Sequence, residues 1–87
     1  MSKYWLQCDV DSGMLPDERA VAVTTADGKK VSLFAGDEKV KSNGGTNYIM
    51  VELVDQNAKF GLVRLPSMPM EGSAVVKVSN DLLSLAR

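Results

Sequence analysis

The motif that most clearly suggests a chemical function is the run Asp9-Val10-Asp11-Ser12-Gly13, which has aspartates at alternate positions. Carboxylates at alternate positions also begin a calcium-binding loop, because oxygen atoms spaced in this way converge on the ion. Such a loop needs glycine at its sixth position and a bidentate glutamate at its twelfth, where this chain has Met14 and Ala20. We therefore expect no metal site, and we interpret the run as a polar strand end that leads into a turn.

Groups for acid–base or nucleophilic catalysis are scarce. The chain contains no histidine, the commonest general base and metal ligand. Cys8 is the single cysteine, which excludes an internal disulfide and a cysteine-rich zinc site, and we expect it to act as a small buried hydrophobe. The carboxylate pairs Asp17-Glu18 and Asp37-Glu38 are adjacent in loop-like segments, where such charges are ordinarily solvated. We predict a protein that is not an enzyme and has no cofactor.

Four lysines make a second candidate site: Lys29, Lys30, Lys39 and Lys41. Two lie beside a turn and two in the polar segment that follows it, and the net charge of the whole chain is −1. Proteins that bind nucleic acid mainly through phosphates usually carry a basic excess, so we expect these lysines to solubilise exposed turns. The alternative is a groove for single-stranded nucleic acid, with Trp5, Phe34 or Tyr48 as stacking rings.

Large apolar side chains at apparently polar positions make the third candidate. The set comprises Trp5, Phe34, Tyr48, Met50, Met68 and Met70. The first four fall opposite the clearer core side of their strands, and the last two lie in the turn-rich segment 66–72. Aromatic residues and methionine are enriched in protein interfaces, so the set predicts an interaction surface, with self-association as one form of it. The alternative is that a small barrel bends its strands and buries parts of both faces.

Strand patterns predict the elements that position these residues. Asp27-Gly28 stands between the runs Ala20–Thr25 and Val31–Ala35, which is a strong signal for a β-hairpin. A first strand, Lys3–Val10, alternates with Tyr4, Leu6, Cys8 and Val10 on its core face. Further strands are predicted at Thr46–Val54, Phe60–Leu65 and Ser73–Val78, and a mobile loop at Gly36–Gly45. Ser79 or Asn80 can begin a short helical turn, from which Leu82, Leu83 and Leu85 dock on the core.

The size of the chain limits the architecture. A length of 87 residues with 45% apolar residues indicates a single domain over residues 1–87 with a small core. Five or six short antiparallel strands favour an all-β, rolled barrel of the SH3-like or OB-like kind, with a two-sheet sandwich as the alternative. No run is long or apolar enough for a membrane span or a secretory signal, which favours a cytoplasmic protein. We predict a non-catalytic protein-interaction module; the alternative is a barrel that binds single-stranded nucleic acid.

Overall fold

A computed structural model describes residues 2–12 and 16–86, and it is all-β, with 64% strand and 7% helical residues. The described residues form one sheet of eight strands. In chain order these are β1 (Ser2–Ser12), β2 (Glu18–Thr24), β3 (Lys30–Gly36), β4 (Val40–Asn43), β5 (Thr46–Gln56), β6 (Phe60–Arg64), β7 (Val75–Ser79) and β8 (Leu83–Leu85). Gly13, where the polar run that begins at Asp9 was predicted to lead into a turn, lies outside the described part of the chain.

The main path of the sheet has the strand order β3-β2-β1-β5-β6-β7, and every neighbouring pair along it is antiparallel. This sheet is curled into a half-barrel, which confirms the prediction of an all-β fold and is compatible with a small β-barrel. The short strands β4 and β8 lie off the main path and pair with β5 and β1.

The long strand β1 changes partner along its length. Residues Ser2–Cys8 pair with β5, while Tyr4–Leu6 also pair with β8 on the other edge. Beyond this point Asp9–Ser12 pair with β2. A strand that pairs with different neighbours at its two ends can bend at the point where its partner changes, and this bend lets the sheet curl around a core.

Strand β5 is divided in the same way. Residues Thr46–Ile49 pair with β4, and Glu52–Gln56 pair with β6. The register of the second pairing shifts between Leu53 and Asp55. Such an irregularity increases the local twist of a strand, so it adds to the curvature of the sheet.

The irregular segment between β6 and β7 brings the two ends of the sheet path together. The Ser67 hydroxyl donates to the Phe34 carbonyl, and the Met70 N–H donates to the Ser32 carbonyl at 2.8 Å. At the turn between β2 and β3, the Ala26 N–H donates to the Lys77 carbonyl of β7 at 2.8 Å. The outer edge of β3 is thereby covered in part, which protects it from pairing with another chain.

The core lies on the inner face of the curled sheet. Its buried hydrophobic side chains, among the described residues, are those of Leu6, Val21, Val23, Leu33, Ala35, Ile49, Val51, Val63, Leu65 and Val78. Leu6 is buried, and the other residues predicted for the core face of β1 pack against this cluster. Burial of Val21 and Val23 assigns Ala20 and Ala22 to the outer face of β2, where the sequence left the two faces ambiguous.

The hairpin predicted at Asp27-Gly28 is present. Its loop is closed by hydrogen bonds from the Thr25 N–H to the Lys29 carbonyl at 2.8 Å and from the Gly28 N–H to the Thr25 carbonyl at 3.0 Å. Gly28 has a φ of +83°, which glycine adopts without steric cost. The Thr25 hydroxyl donates to the Asp27 carboxylate, and this bond is the main reason that the pKa of Asp27 is lowered.

The segment Gly36–Gly45, predicted as a mobile loop, is ordered as a 3-10 turn at Asp37–Lys39 followed by β4. Gly44 and Gly45, with φ of +61° and +85°, reverse the chain into β5. The prediction failed because Lys41 and the two residues after it in β4 are exposed, so β4 shows no apolar alternation.

The helical turn predicted near the C-terminal end is present as a 3-10 turn at Asn80–Leu82, with the Ser79 hydroxyl accepting from the Asp81 N–H at 3.2 Å. Leu82 and Leu83 pack against the core as expected. Leu85, which was also predicted to dock, lies in β8 and is 51% exposed.

Candidate interaction surface

The outer face of β1 and β5 brings three of the predicted interaction residues together. Trp5 lies directly opposite Met50 of β5, and Gln7 lies opposite Tyr48 in the next row. Lys41 of β4 lies opposite Tyr48 on its other side. Directly opposite residues on one face of an antiparallel pair have Cβ atoms about 5 Å apart. We call Trp5, Tyr48, Met50 and Lys41 the ring cluster.

Lys41 joins the two rings of this cluster. Its Nζ lies 4.5 Å from the centroid of the Trp5 ring and 5.5 Å from the centroid of the Tyr48 ring. An ammonium group over a ring face is attracted by the electron-rich face of the ring. Trp5, Tyr48 and Met50 are all half-buried, so the cluster offers an apolar surface with a positive charge held on it.

The ring cluster is flanked by further basic residues. Lys3 and Arg64 lie on either side of Glu52 in the next cross-strand row, and the Arg64 guanidinium is 3.8 Å from the Glu52 carboxylate. Lys39 lines a recess together with Lys3 and Met50. Cations therefore outnumber carboxylates around the rings, although the whole chain is slightly acidic.

The other predicted interaction residues lie elsewhere, at the outer edge of β3. Phe34 is half-buried on β3, and its carbonyl accepts from Ser67, which precedes Met68. The Met70 N–H donates a hydrogen bond to the Ser32 carbonyl. Met68 is 70% exposed and Met70 is 61% exposed. The predicted surface is thus divided into the ring cluster and a second group, formed by Phe34, Met68 and Met70.

A shallow groove lies on the outer face of β1, β2 and β3. Its floor is made of small side chains, because Ala22 stands between Asp9 and Ser32 and Ala20 stands between Asp11 and Phe34. We call this the alanine groove; its outward-facing lining comprises Asp9, Asp11, Ala20, Ala22, Ser32 and Met70, and its volume is ≈ 370 Å³. The groove has carboxylates where the ring cluster has cations.

The four lysines predicted as one patch are placed in two separate places. Lys30 lies 3.0 Å from the Asp9 carboxylate and Lys29 lies 3.9 Å from the Asp27 carboxylate, both at the start of β3. Lys39 and Lys41 follow the other end of β3, which at about 3.3 Å per residue is roughly 20 Å away. Of the four, Lys41 is the one that contacts the rings of Trp5 and Tyr48.

Cys8 is half-buried on the inner face of β1 and packs against the core. Burial, with a smaller contribution from the neighbouring charge of Asp9, raises the pKa of the thiol to about 12. A thiol in this state is a poor nucleophile at neutral pH, because the thiolate is the reactive form.

Two further findings concern residues 2–12 and 16–86. In this part of the chain, no group of three or more histidine, cysteine, aspartate or glutamate side chains could hold a metal ion. None of its helical segments has the length and apolar character needed to cross a bilayer.

Lys3, Arg64 and the alanine groove were not predicted from the sequence. Alternation along β1 does place Lys3 and Trp5 on one face, so Lys3 could have been found from this signal. Arg64 and the groove depend on the pairing of β6 with β5 and of β2 with β1, which no local pattern specifies. Comparison with known proteins finds no matching family, no similar curated protein and no solved structure that matches this chain.

Proposed function

We propose that this protein is a non-catalytic interaction module that binds a protein partner through the ring cluster. The observation that carries the proposal is the grouping of Trp5, Tyr48 and Met50 on one outer face, where all three side chains remain partly exposed. Interface centres are enriched in aromatic residues, methionine and arginine, and rings fixed in place by neighbours lose little entropy on binding.

Substitution of the central ring tests this proposal. Immobilised wild-type protein and a Trp5→Ser variant are compared for the proteins that they retain from a lysate, with Leu62→Ser on the outer face of β6 as the matched control. We expect proteins retained by the wild type and the control to be lost with Trp5→Ser. If the wild type and both variants retained the same proteins, the ring cluster would not be the binding surface.

A second candidate is binding of single-stranded nucleic acid, favoured by Lys41 against Trp5 and Tyr48 with Lys3, Lys39 and Arg64 close by. Rings beside a basic groove stack bases without regard to sequence. Titration with an oligonucleotide checks this through Trp5 fluorescence, which we expect to be quenched at low salt and restored as salt displaces the strand. An unchanged spectrum at low salt would exclude this function. Lys29 and Lys30 are already paired with the carboxylates of Asp27 and Asp9, so they are expected to contribute little.

The division of β1 and β5 between different partners supports a barrel of the SH3-like or OB-like kind, because such barrels close by bending long strands. A single cysteine leaves the chain without an internal disulfide, which fits a reducing compartment, and we propose the cytoplasm.

A further inference from the structure

The outward-facing side chains of β1 change from basic to acidic along the strand. Alternate residues give Lys3, Trp5 and Gln7 on the half that pairs with β5, followed by Asp9 and Asp11 on the half that pairs with β2. The basic ring cluster and the acidic alanine groove are therefore the two halves of one continuous face, joined at Gln7.

The charges of the two halves balance. The outward-facing rows of the aromatic half carry three cations and one carboxylate: Lys3, Lys41, Arg64 and Glu52. The outward-facing rows of the acidic half carry three carboxylates and one cation: Asp9, Asp11, Glu18 and Lys30. A net charge of about +2 on one half thus stands beside a net charge of about −2 on the other, so the face is complementary to itself.

The shapes of the two halves differ in the corresponding way. Trp5, Tyr48 and Met50 are large side chains, whereas the floor of the acidic half is formed by Ala20 and Ala22. Small residues beneath a groove of ≈ 370 Å³ leave room for a ring from outside. The same face therefore carries a large ring on β1, that of Trp5, and a depression beside Asp9 that can receive it.

We propose that the partner of this face is a second copy of the chain, in a twofold dimer. A twofold axis that lies across β1 near Gln7 reverses the order of residues along that strand, so Trp5 of each copy is set against Asp9 of the other. Lys3 of each copy then faces Asp11 of the other, and this contact forms twice, as twofold symmetry requires. This inference rests on the proposed interaction function and names its partner.

Charge reversal on the two halves tests the dimer. Sedimentation velocity of the wild type is expected to show dimer at about 20 mM salt and dissociation near 1 M, where charges more than about 3 Å apart are screened. Lys3→Glu and Asp11→Lys each set like charges against one another twice per dimer, so each should weaken association by at least about tenfold. The control Lys59→Glu, in the turn between β5 and β6, should associate as the wild type does.

An equimolar mixture of the two variants gives the sharpest test. In a mixed pair the introduced glutamate of one copy faces the introduced lysine of the other, and the remaining contact joins a native Lys3 to a native Asp11. Association of the mixture should therefore return to within a fewfold of the wild type.

Two outcomes would overturn the twofold arrangement: failure of the mixture to associate, or a wild type that stays monomeric at about 1 mM and low salt. The same measurements separate this arrangement from the interaction function itself. A monomer that still retains lysate proteins through Trp5 would leave the interaction function standing, whereas a monomer that retains none would remove both.

Discussion

The Lys41 ammonium lies 4.5 Å from the centroid of the Trp5 ring, across the width of β5. This contact ties the edge strand β4 to β1, although the two strands share no hydrogen-bonded pair in the sheet register. The short edge strand is thus held by a side chain as well as by its backbone.

Replacement of Lys41 by glutamine should lower the free energy of unfolding by about 0.5–1 kcal/mol, because the charge that is drawn to the two rings is lost. Urea unfolding followed by Trp5 fluorescence measures the change. Lys59→Gln, at an exposed turn, is the control and should stay within about 0.5 kcal/mol of the wild type. Equal effects of the two variants would show that the ring contact contributes nothing to stability.

Gly61 is a buried glycine of β6 whose missing side chain makes room for Leu83. A Cβ at this position would lie 2.7 Å from Leu83 Cδ1 and 3.2 Å from Leu53 Cδ1. Because these atoms are the ends of side chains that can shift, Gly61→Ala should destabilise the fold by about 1 kcal/mol through overpacking. In a double-mutant cycle the cost should be smaller when Leu83 is already alanine, because the nearest atom has been removed. Additive effects of the two substitutions would contradict this contact.

Gly28→Ala tests the hairpin turn in a different way. Space is free around this position, since a Cβ would meet nothing within 4 Å, but the φ of +83° is unfavourable for alanine. We expect a loss of about 1 kcal/mol from backbone strain alone. Thermal unfolding measures it, and Ala26→Gly in the same turn is the comparison, because the backbone at Ala26 has no positive φ and the change removes one methyl group without altering strain.

The Cys8 thiol should make stability depend on pH in the alkaline range. Its pKa of about 12 in the folded protein lies above the value of 9.0 for an unperturbed thiol. Above pH 9 the unfolded chain therefore loses this proton before the folded one does, so the free energy of unfolding should fall as pH rises from 9 towards 12. Below pH 9 this group should contribute no slope.

The measurement compares the wild type with Cys8→Ala by urea unfolding at several pH values. The difference in free energy between the two proteins, which cancels the titration of lysine and tyrosine, should shrink as pH rises. Iodoacetamide should also modify the thiol slowly in the native protein at about pH 9 and quickly in urea. Rapid native modification would show that the thiol is accessible and ionised.

The sequence predicted those elements whose signals are local. The Asp27-Gly28 hairpin and the core face of β1 depend on turn chemistry and on alternation within a single strand, and both were found. The strand β4 was missed because Lys41 and its neighbours show no apolar period. What makes β4 a strand is its pairing with Tyr48 and other residues of β5, a non-local contact that composition does not reveal.

The candidate site likewise has a part that the sequence predicts and a part that depends on strand pairing. Trp5, Tyr48 and Met50 could be named individually because each breaks the alternation of its own strand. Their grouping follows from the register between β1 and β5, and the separation of Phe34 from them follows from its position on β3. The alanine groove was invisible because Ala20 and Ala22 look like ordinary residues until both neighbouring strands are in place.

The pairing of Tyr4–Leu6 with β8 links the first strand of the sheet to the last. A ribosome adds about 5–20 residues per second, so several seconds separate the synthesis of β1 from that of Leu85. During that interval one edge of β1 lacks the neighbour that will cover it. This corner of the curled sheet therefore cannot form until β8 has been made, and contacts between such distant residues are typical of proteins that fold in about milliseconds to seconds.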